Sequence, residues 1–209
     1  MNIETLLVYT TVTFFYVTSP GPAIILAIVN GLRADMKTVM ISSLANIIGL
    51  FILSTASILG LGVILKTSST LFMIVKILGA LYLIYLGYKF LRNKGGFNIS
   101  DLEDEKIVKS KKSYFLESFI LAVTNPKPIL FFTAIFPQFL DLNSSIAPQF
   151  FIMTGIFLFI SFSSLCTYSY ISKKSKAFFK NQRRINIVNK ITGGLFIFMG
   201  LGLLKMKNQ

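Results

Sequence analysis

Two prolines and a lysine interrupt an apolar run in the second half of the chain, and this interruption strongly limits the possible folds. The run extends from about Tyr114 to Gln138, and its centre reads Asn125-Pro126-Lys127-Pro128. As a helix it has the length that crosses the roughly 30 Å hydrocarbon core of a bilayer. Broken backbone at that depth needs protein or a polar cavity around it, and a charge there is costly. The interruption therefore predicts a functional site.

The same pattern occurs once more near the N-terminus. Val17-Thr18-Ser19-Pro20-Gly21-Pro22 matches Val123-Thr124-Asn125-Pro126-Lys127-Pro128. Each proline frees the carbonyl four residues earlier, which predicts free carbonyls at Tyr16, Thr18, Ala122 and Thr124. Helices broken at corresponding positions of two halves point to a transporter's binding site. The competing interpretation is a pair of packing kinks without a ligand, because proline is common in membrane helices.

Composition favours a membrane protein and argues against several other classes. Hydrophobic residues make up 54% of the 209 residues, and most basic residues behind the net charge of +13 lie between apolar segments, so we expect no nucleic-acid partner. The chain has no histidine and one cysteine, Cys166, so we expect no metal, no cofactor and no intrachain disulfide. No phosphate loop, nucleophile elbow or carboxylate pair is present, so we expect no enzyme. The acidic N-terminus predicts a retained first segment rather than a cleaved signal peptide.

Six apolar segments predict an all-α membrane protein with six transmembrane helices in one domain, 1–209. The predicted spans are about 6–30, 38–65, 71–91, 114–138, 148–171 and 187–204. The proline clusters break the first and fourth. A polar linker, 93–113, separates repeat one (1–92) from repeat two (114–209), and Lys76-Ile77-Leu78-Gly79 in the third span matches Lys190-Ile191-Thr192-Gly193 in the sixth. Three spans in each half make the repeats inverted, and we expect one half to rock against the other.

The positions of the basic residues predict the orientation in the membrane. With six spans, most of them fall on the side that holds the linker 93–113 and the loop 172–186. The positive-inside rule places these two segments in the cytoplasm and both termini outside. A re-entrant first segment would move the N-terminus inside, and the sequence leaves this open.

The candidate substrate-binding residues lie near mid-depth. They are Ser19, Pro20, Gly21, Pro22, Thr124, Asn125, Pro126, Lys127, Pro128 and Asn46. Freed carbonyls can accept hydrogen bonds from an ammonium, while helix-start amides and Lys127 can hold a carboxylate, which suits a small zwitterion. Asn46 either lines the cavity or bonds a neighbouring helix, and Lys127 binds ligand, snorkels or is neutral. The tyrosines and phenylalanines are assigned no role beyond packing.

These motifs resemble those of the lysine exporter family of bacterial amino-acid efflux proteins, LysE/RhtB. Ser19-Pro20-Gly21-Pro22 looks like its first-helix motif, and Leu78-Gly79-Ala80-Leu81-Tyr82-Leu83-Ile84-Tyr85-Leu86-Gly87 looks like its third-helix motif. Asn125-Pro126-Lys127-Pro128, followed by Phe136-Pro137-Gln138-Phe139, is similar to its fourth-helix signature. The resemblance covers nearly the whole chain. It implies an exporter of amino acids or closely related small metabolites in the bacterial cytoplasmic (inner) membrane, driven by the proton gradient.

Two other functions stay open. A small-cation exporter of the wider superfamily is disfavoured because the predicted site has no carboxylates for a hard cation. A membrane scaffold without transport activity would tolerate replacement of the mid-depth residues. For an exporter the expected partners are an amino-acid-like substrate and membrane lipid, and a homo-oligomer remains open. With no Asp, Glu or His at mid-depth, Lys127 is the candidate group for proton coupling.

Overall fold

The computed structural model describes residues 2–67, 69–92, 110–174 and 182–205. All regular elements within these ranges are helical, which confirms the all-α prediction for this part of the chain. Residues 93–109 of the predicted linker and 175–181 of the predicted loop lie outside the described residues.

Each predicted apolar segment coincides with one helix or with one broken helix. The helices are α1 (Ile3–Thr18), α2 (Pro22–Arg33), α3 (Met36–Thr67), α4 (Ser69–Arg92), α5 (Lys111–Thr124), α6 (Pro126–Phe139), α7 (Ile146–Lys174) and α8 (Gln182–Lys205). Two predicted connections were too long. Helix α5 already begins at Lys111, because the Ser110 side chain caps it by accepting a hydrogen bond from the Ser113 amide. Helix α7 continues to Lys174 and α8 begins at Gln182, so both ends of the predicted loop 172–186 are helical.

Membrane-spanning character is clear for part of the described chain. Met36–Gly60 of α3 and Ile146–Lys174 each have the length and hydropathy of a span, and α1 with α2 and α5 with α6 meet the same test when each broken pair counts as one span. The described residues therefore contain between two and four candidate spans, fewer than the six predicted.

The two proline clusters break their helices as predicted. Helix α1 ends at Thr18 and α2 begins at Pro22, with a bend of 55° between them. Helix α5 ends at Thr124, and α6 begins at Pro126 after a bend of 40°. Both following helices carry proline in the first turn, where the missing amide costs no intrahelical bond.

Helix α6 is irregular along its length. Its α-helical start, Pro126–Leu130, widens to a π-helix at Phe131–Ile135 and tightens to a 3-10 helix at Phe136–Phe139. Pro137 lacks the amide that would extend the α-helical ladder here, which explains why the regular helix does not continue.

The helices pack in pairs that join the two predicted halves. Helices α1 and α2 follow α7 in the same direction, because the Tyr9 hydroxyl bonds the Met153 carbonyl and the Ser169 hydroxyl bonds the Ala27 carbonyl. Helix α3 packs on α5 and α4 packs on α8. Glycine allows the close approach of α4 and α8, since a methyl group on Gly87 would lie 2.6 Å from the Gly193 carbonyl oxygen.

The two ends of the bundle differ in their buried side chains. Around α1 and α6 lies a group that we call the aromatic end: Tyr9, Phe131, Phe132, Phe136, Phe139 and Phe150. Around α2 and α5 lies a group that we call the serine end: Asn30, Ser42, Ser43, Ser118, Ser169 and Ser172. The two helix breaks lie between these ends.

Candidate functional site at the two helix breaks

A cavity of about 50 Å³ lies where the two helix breaks meet. Five of the predicted site residues line it: Gly21, Asn46, Asn125, Lys127 and Pro128. Both breaks therefore contribute to one site, and Asn46 lies at the cavity wall. The remaining wall is largely apolar, with Leu50, Phe157 and Leu165 among its side chains.

The other predicted residues lie beside the cavity or away from it. Ser19 is buried next to the Lys127 ammonium. Pro20 is half-buried, and Pro22, Thr124 and Pro126 are exposed; none of these four lines the cavity. The Thr124 hydroxyl donates to the carbonyl of Ile120, within its own helix. The structure thus brings together the inward-facing half of each predicted cluster.

The ammonium of Lys127 reaches across to the first break. Its Nζ donates to the Ser19 carbonyl oxygen at 2.8 Å and to the Ser19 hydroxyl at 2.7 Å. The same nitrogen lies 5.0 Å from the centre of the Tyr16 ring and 5.9 Å from that of Phe196, both within the range of a cation–π interaction. Among the described residues, no Asp or Glu side chain contacts this ammonium.

Further hydrogen bonds hold the backbone of Lys127 in place. The Tyr16 hydroxyl donates to the Lys127 carbonyl, and the Asn125 side chain accepts from the Lys127 amide at 3.1 Å. Asn125 thereby ends α5 and caps α6 at once. The main chain of Lys127 is thus held by residues of both breaks, and its ammonium by Ser19.

The carbonyls freed by the first proline cluster already have partners. The Ser19 hydroxyl donates to the Tyr16 carbonyl at 2.7 Å, and the Tyr168 hydroxyl donates to the Thr18 carbonyl at 2.9 Å. The expectation that these two carbonyls face a ligand therefore needs correction, because protein hydroxyls occupy them. The Ser19 carbonyl and hydroxyl oxygens accept from the Lys127 ammonium instead.

The start of α2 is a second polar feature of the cavity. Gly21 makes no side-chain capping bond, and the first residues after Pro22, Ala23 and Ile24, line the cavity. Backbone amides in the first turn of a helix carry partial positive charge and favour an anion. The start of α6 differs, because Asn125 already bonds its Lys127 amide.

Several residues of the site were not singled out in the sequence. Tyr16, Phe157, Ser161 and Phe196 line the cavity or surround the ammonium. Tyr16 precedes Ser19 by three residues, so a helical reading would have placed both on one face. The sequence gives no comparable sign for the other three, because their approach depends on how α7 and α8 pack.

The family relationship agrees with this arrangement. A model of the LysE type translocator family matches residues 14–207, a range that contains both helix breaks and the cavity. The chain belongs to the LysE type translocator family. The resemblance drawn from the motifs is thereby confirmed, and the protein is a multi-pass membrane protein of a family of translocators rather than enzymes.

Two relatives of this LysE type translocator match nearly all of its length. A protein of Bacillus subtilis (strain 168) described as "Uncharacterized membrane protein YrhP" is 32% identical over 207 residues, covering 96% of this chain and 98% of its own. An "Uncharacterized membrane protein" of Vibrio cholerae serotype O1 is 27% identical over 208 residues, covering 98% and 97%. No solved structure matches the chain.

Proposed function

We propose that this translocator exports amino acids or closely related small metabolites across the bacterial cytoplasmic membrane. The observation that carries the proposal is the Lys127 ammonium, which lies beside a cavity between two broken helices without a described carboxylate partner. A cation inside a membrane protein is costly unless an opposite charge compensates it. A ligand that brings a carboxylate into the cavity supplies that charge.

The cavity offers complementary groups for both ends of a zwitterion. Lys127 and the uncapped start of α2 suit a carboxylate, and the Ser19 oxygens suit an ammonium. The apolar wall around Leu50 and Phe157 suits an aliphatic or aromatic side chain. The volume of about 50 Å³ is several times the roughly 10–15 Å³ that one water needs, which favours a small solute.

The proposal includes six spans arranged as two inverted three-helix repeats. Helices α1 and α2 together follow α7 from one end of the bundle to the other, which favours a full first span over a re-entrant one. Helices α4 and α8 run antiparallel, because Gly87 approaches Gly193 while Gly200 approaches Ala80. Inverted repeats require this direction of their equivalent third helices. The basic segments 93–113 and 172–186 then lie in the cytoplasm.

Transport by this site would alternate access to the cavity from the two membrane sides, coupled to proton movement. Lys127 is the group at mid-depth that can release a proton, whereas arginine stays charged. We expect Lys127→Arg to retain substrate binding and to lose proton-dependent export. If this variant and the parent protein export equally well across a pH gradient, Lys127 is not the group that couples export to proton movement.

The first experiment is an export assay with a panel of labelled amino acids in cells. Cells with the parent protein are compared with cells that carry Lys127→Ala at the same membrane level, and Lys190→Ala serves as control because Lys190 is an exposed lysine of α8. We expect one or a few amino acids to leave faster with the parent and with the control. Loss of any difference among the three strains would argue against amino-acid export, and faster efflux of inorganic cations would favour the cation exporter instead. If the protein is a scaffold, we expect Lys127→Ala to fold stably and the cells that carry it to behave like cells with the parent protein.

A further inference from the structure

The environment of the Lys127 ammonium consists of acceptors and aromatic faces. We define the ammonium site as the Ser19 carbonyl and hydroxyl oxygens together with the Tyr16 and Phe196 rings. The Ser19 hydroxyl directs its own hydrogen to the Tyr16 carbonyl, so its oxygen can only accept from the lysine. A site built in this way selects a cation that carries N–H donors.

We propose that this ammonium site is the binding site for a primary ammonium group of the ligand, and that Lys127 occupies it as a tethered substitute when the ligand is absent. The inference deepens the proposed function, on which it rests for the identity of the natural ligand. The α-ammonium of an amino acid and the lysine ammonium carry the same three donors, so one can replace the other with the same contacts.

The surroundings allow the lysine side chain to leave. Only part of it is fixed by backbone contacts, since Tyr16 and Asn125 hold the Lys127 main chain and not its stem. Gly21 lies against the stem, where a methyl group would come within 3.3 Å of Lys127 Cδ and 3.5 Å of Nζ. Glycine at this position keeps open the space through which the flexible four-carbon stem can move.

The displaced lysine has a second position to take. Its Nζ lies next to Gly21, the residue before the uncapped start of α2. A ligand that places its ammonium on Ser19 brings its carboxylate to this same region, where Lys127 can pair with it. One movement of the lysine therefore converts an occupied ammonium site into a site for both ends of the zwitterion.

The Lys127 ammonium also explains how the polar groups of the ammonium site are satisfied when no ligand is bound. Without a cation, the Ser19 oxygens and the Tyr16 ring would face an empty space, and unsatisfied polar groups are costly inside a membrane protein. A tethered group competes with free ligand at a high effective concentration. The lysine is thus expected to weaken the binding of simple amines that carry no carboxylate to draw it away.

The test measures amine binding to purified protein in detergent. Thermal unfolding of the parent and of Lys127→Ala is followed with a thiol-reactive dye at the single cysteine, Cys166. The probe is n-butylammonium chloride, with tetramethylammonium chloride and sodium butyrate at the same ionic strength as controls. We expect n-butylammonium to raise the unfolding midpoint of Lys127→Ala by at least about 2 °C, saturably, with no shift in the parent or from either control salt.

Lack of an n-butylammonium shift in folded Lys127→Ala would overturn the inference, and so would either of two further results. One is an equal shift in the parent and the variant, and the other is an equal response to tetramethylammonium, which has no N–H donor. Should Lys127→Ala fail to fold, the assay is repeated with Lys127→Met, which retains an unbranched side chain without the ammonium. If n-butylammonium does not raise the unfolding midpoint of Lys127→Met, the inference is also wrong. Because the assay needs no transport, amine binding without amino-acid export would leave the ammonium site standing and remove the exporter function.

Discussion

The two ends of the bundle close in different ways. At the aromatic end, rings pack against rings, as in the contact of 5.4 Å between the centres of Tyr9 and Phe139, and Phe131 and Phe132 are almost fully buried. At the serine end, small polar groups bond each other and the backbone, as in the contact of 2.5 Å between the Ser42 and Ser118 hydroxyls.

This difference bears on which end exchanges more easily with water. Separating hydroxyl pairs costs little net free energy when water replaces each lost bond. Separating packed aromatic rings exposes a large apolar area that water cannot compensate. We therefore expect the serine end to open at the lower cost and the aromatic end to supply most of the stability.

The strongest test of this comparison removes a ring from the aromatic end. Phe132 is 1% exposed, and Phe132→Ala should lower the free energy of unfolding by about 3–5 kcal/mol, because a cavity remains where the ring packed. Thermal or denaturant unfolding followed at Cys166 measures the loss. Phe198→Ala is the matched control, since Phe198 is 75% exposed. An equal decrease in the free energy of unfolding of the two variants would show that the aromatic end is not the main source of stability.

A smaller effect is expected where α2 meets α7 at the serine end. A methyl group on Gly31 would lie 2.2 Å from the Ser169 carbonyl oxygen, so Gly31→Ala must push the helices apart. Overpacking of this kind costs about 1–3 kcal/mol. Gly155→Ala in α7 is the control, because nothing lies within 4 Å of the added methyl group. A destabilisation by Gly31→Ala that exceeds that of Phe132→Ala would reverse the ranking of the two ends.

The smallest effect concerns a single polar contact. Replacement of Ser42 and Ser118 by alanine, singly and together, measures the coupling between their hydroxyls. Interhelical contacts of this type contribute on average about 0.6 kcal/mol in a membrane protein. The Thr55 hydroxyl bonds the Phe51 carbonyl within its own helix, so Thr55→Ala combined with Ser118→Ala should show no coupling. A coupling of several kcal/mol between Ser42 and Ser118 would mean that the serine end is costly to open.

The sequence predicted what depends on local chemistry. The lengths of the apolar segments predicted the helices, and the missing amides of the prolines predicted the breaks at Ser19–Pro22 and Asn125–Pro128. Lys127 was predictable as a site residue for a similar reason, because a charge within an apolar run is costly at that depth.

Features that depend on pairing between distant helices were not predictable in this way. With 21 phenylalanines and 8 tyrosines spread through the chain, nothing in the sequence separates Phe196, beside the ammonium, from Phe198, which is exposed on the same helix. The Thr18 carbonyl was expected to be free, but its partner Tyr168 lies 150 residues away. The serine end was not anticipated for the same reason, since Ser42 and Ser118 belong to different helices.

The crossing of α4 and α8 has a mechanical consequence. Glycines bring the two backbones together at two levels, at Gly87 with Gly193 and at Ala80 with Gly200, and the side chains of Ile84, Leu91 and Ile197 pack against the same glycines. Because α4 and α8 come from opposite halves of the chain, a rigid rotation of one half against the other would strain this joint first. We therefore expect this crossing to stay fixed during the proposed transport cycle and the movement to occur at the bends of the two proline breaks.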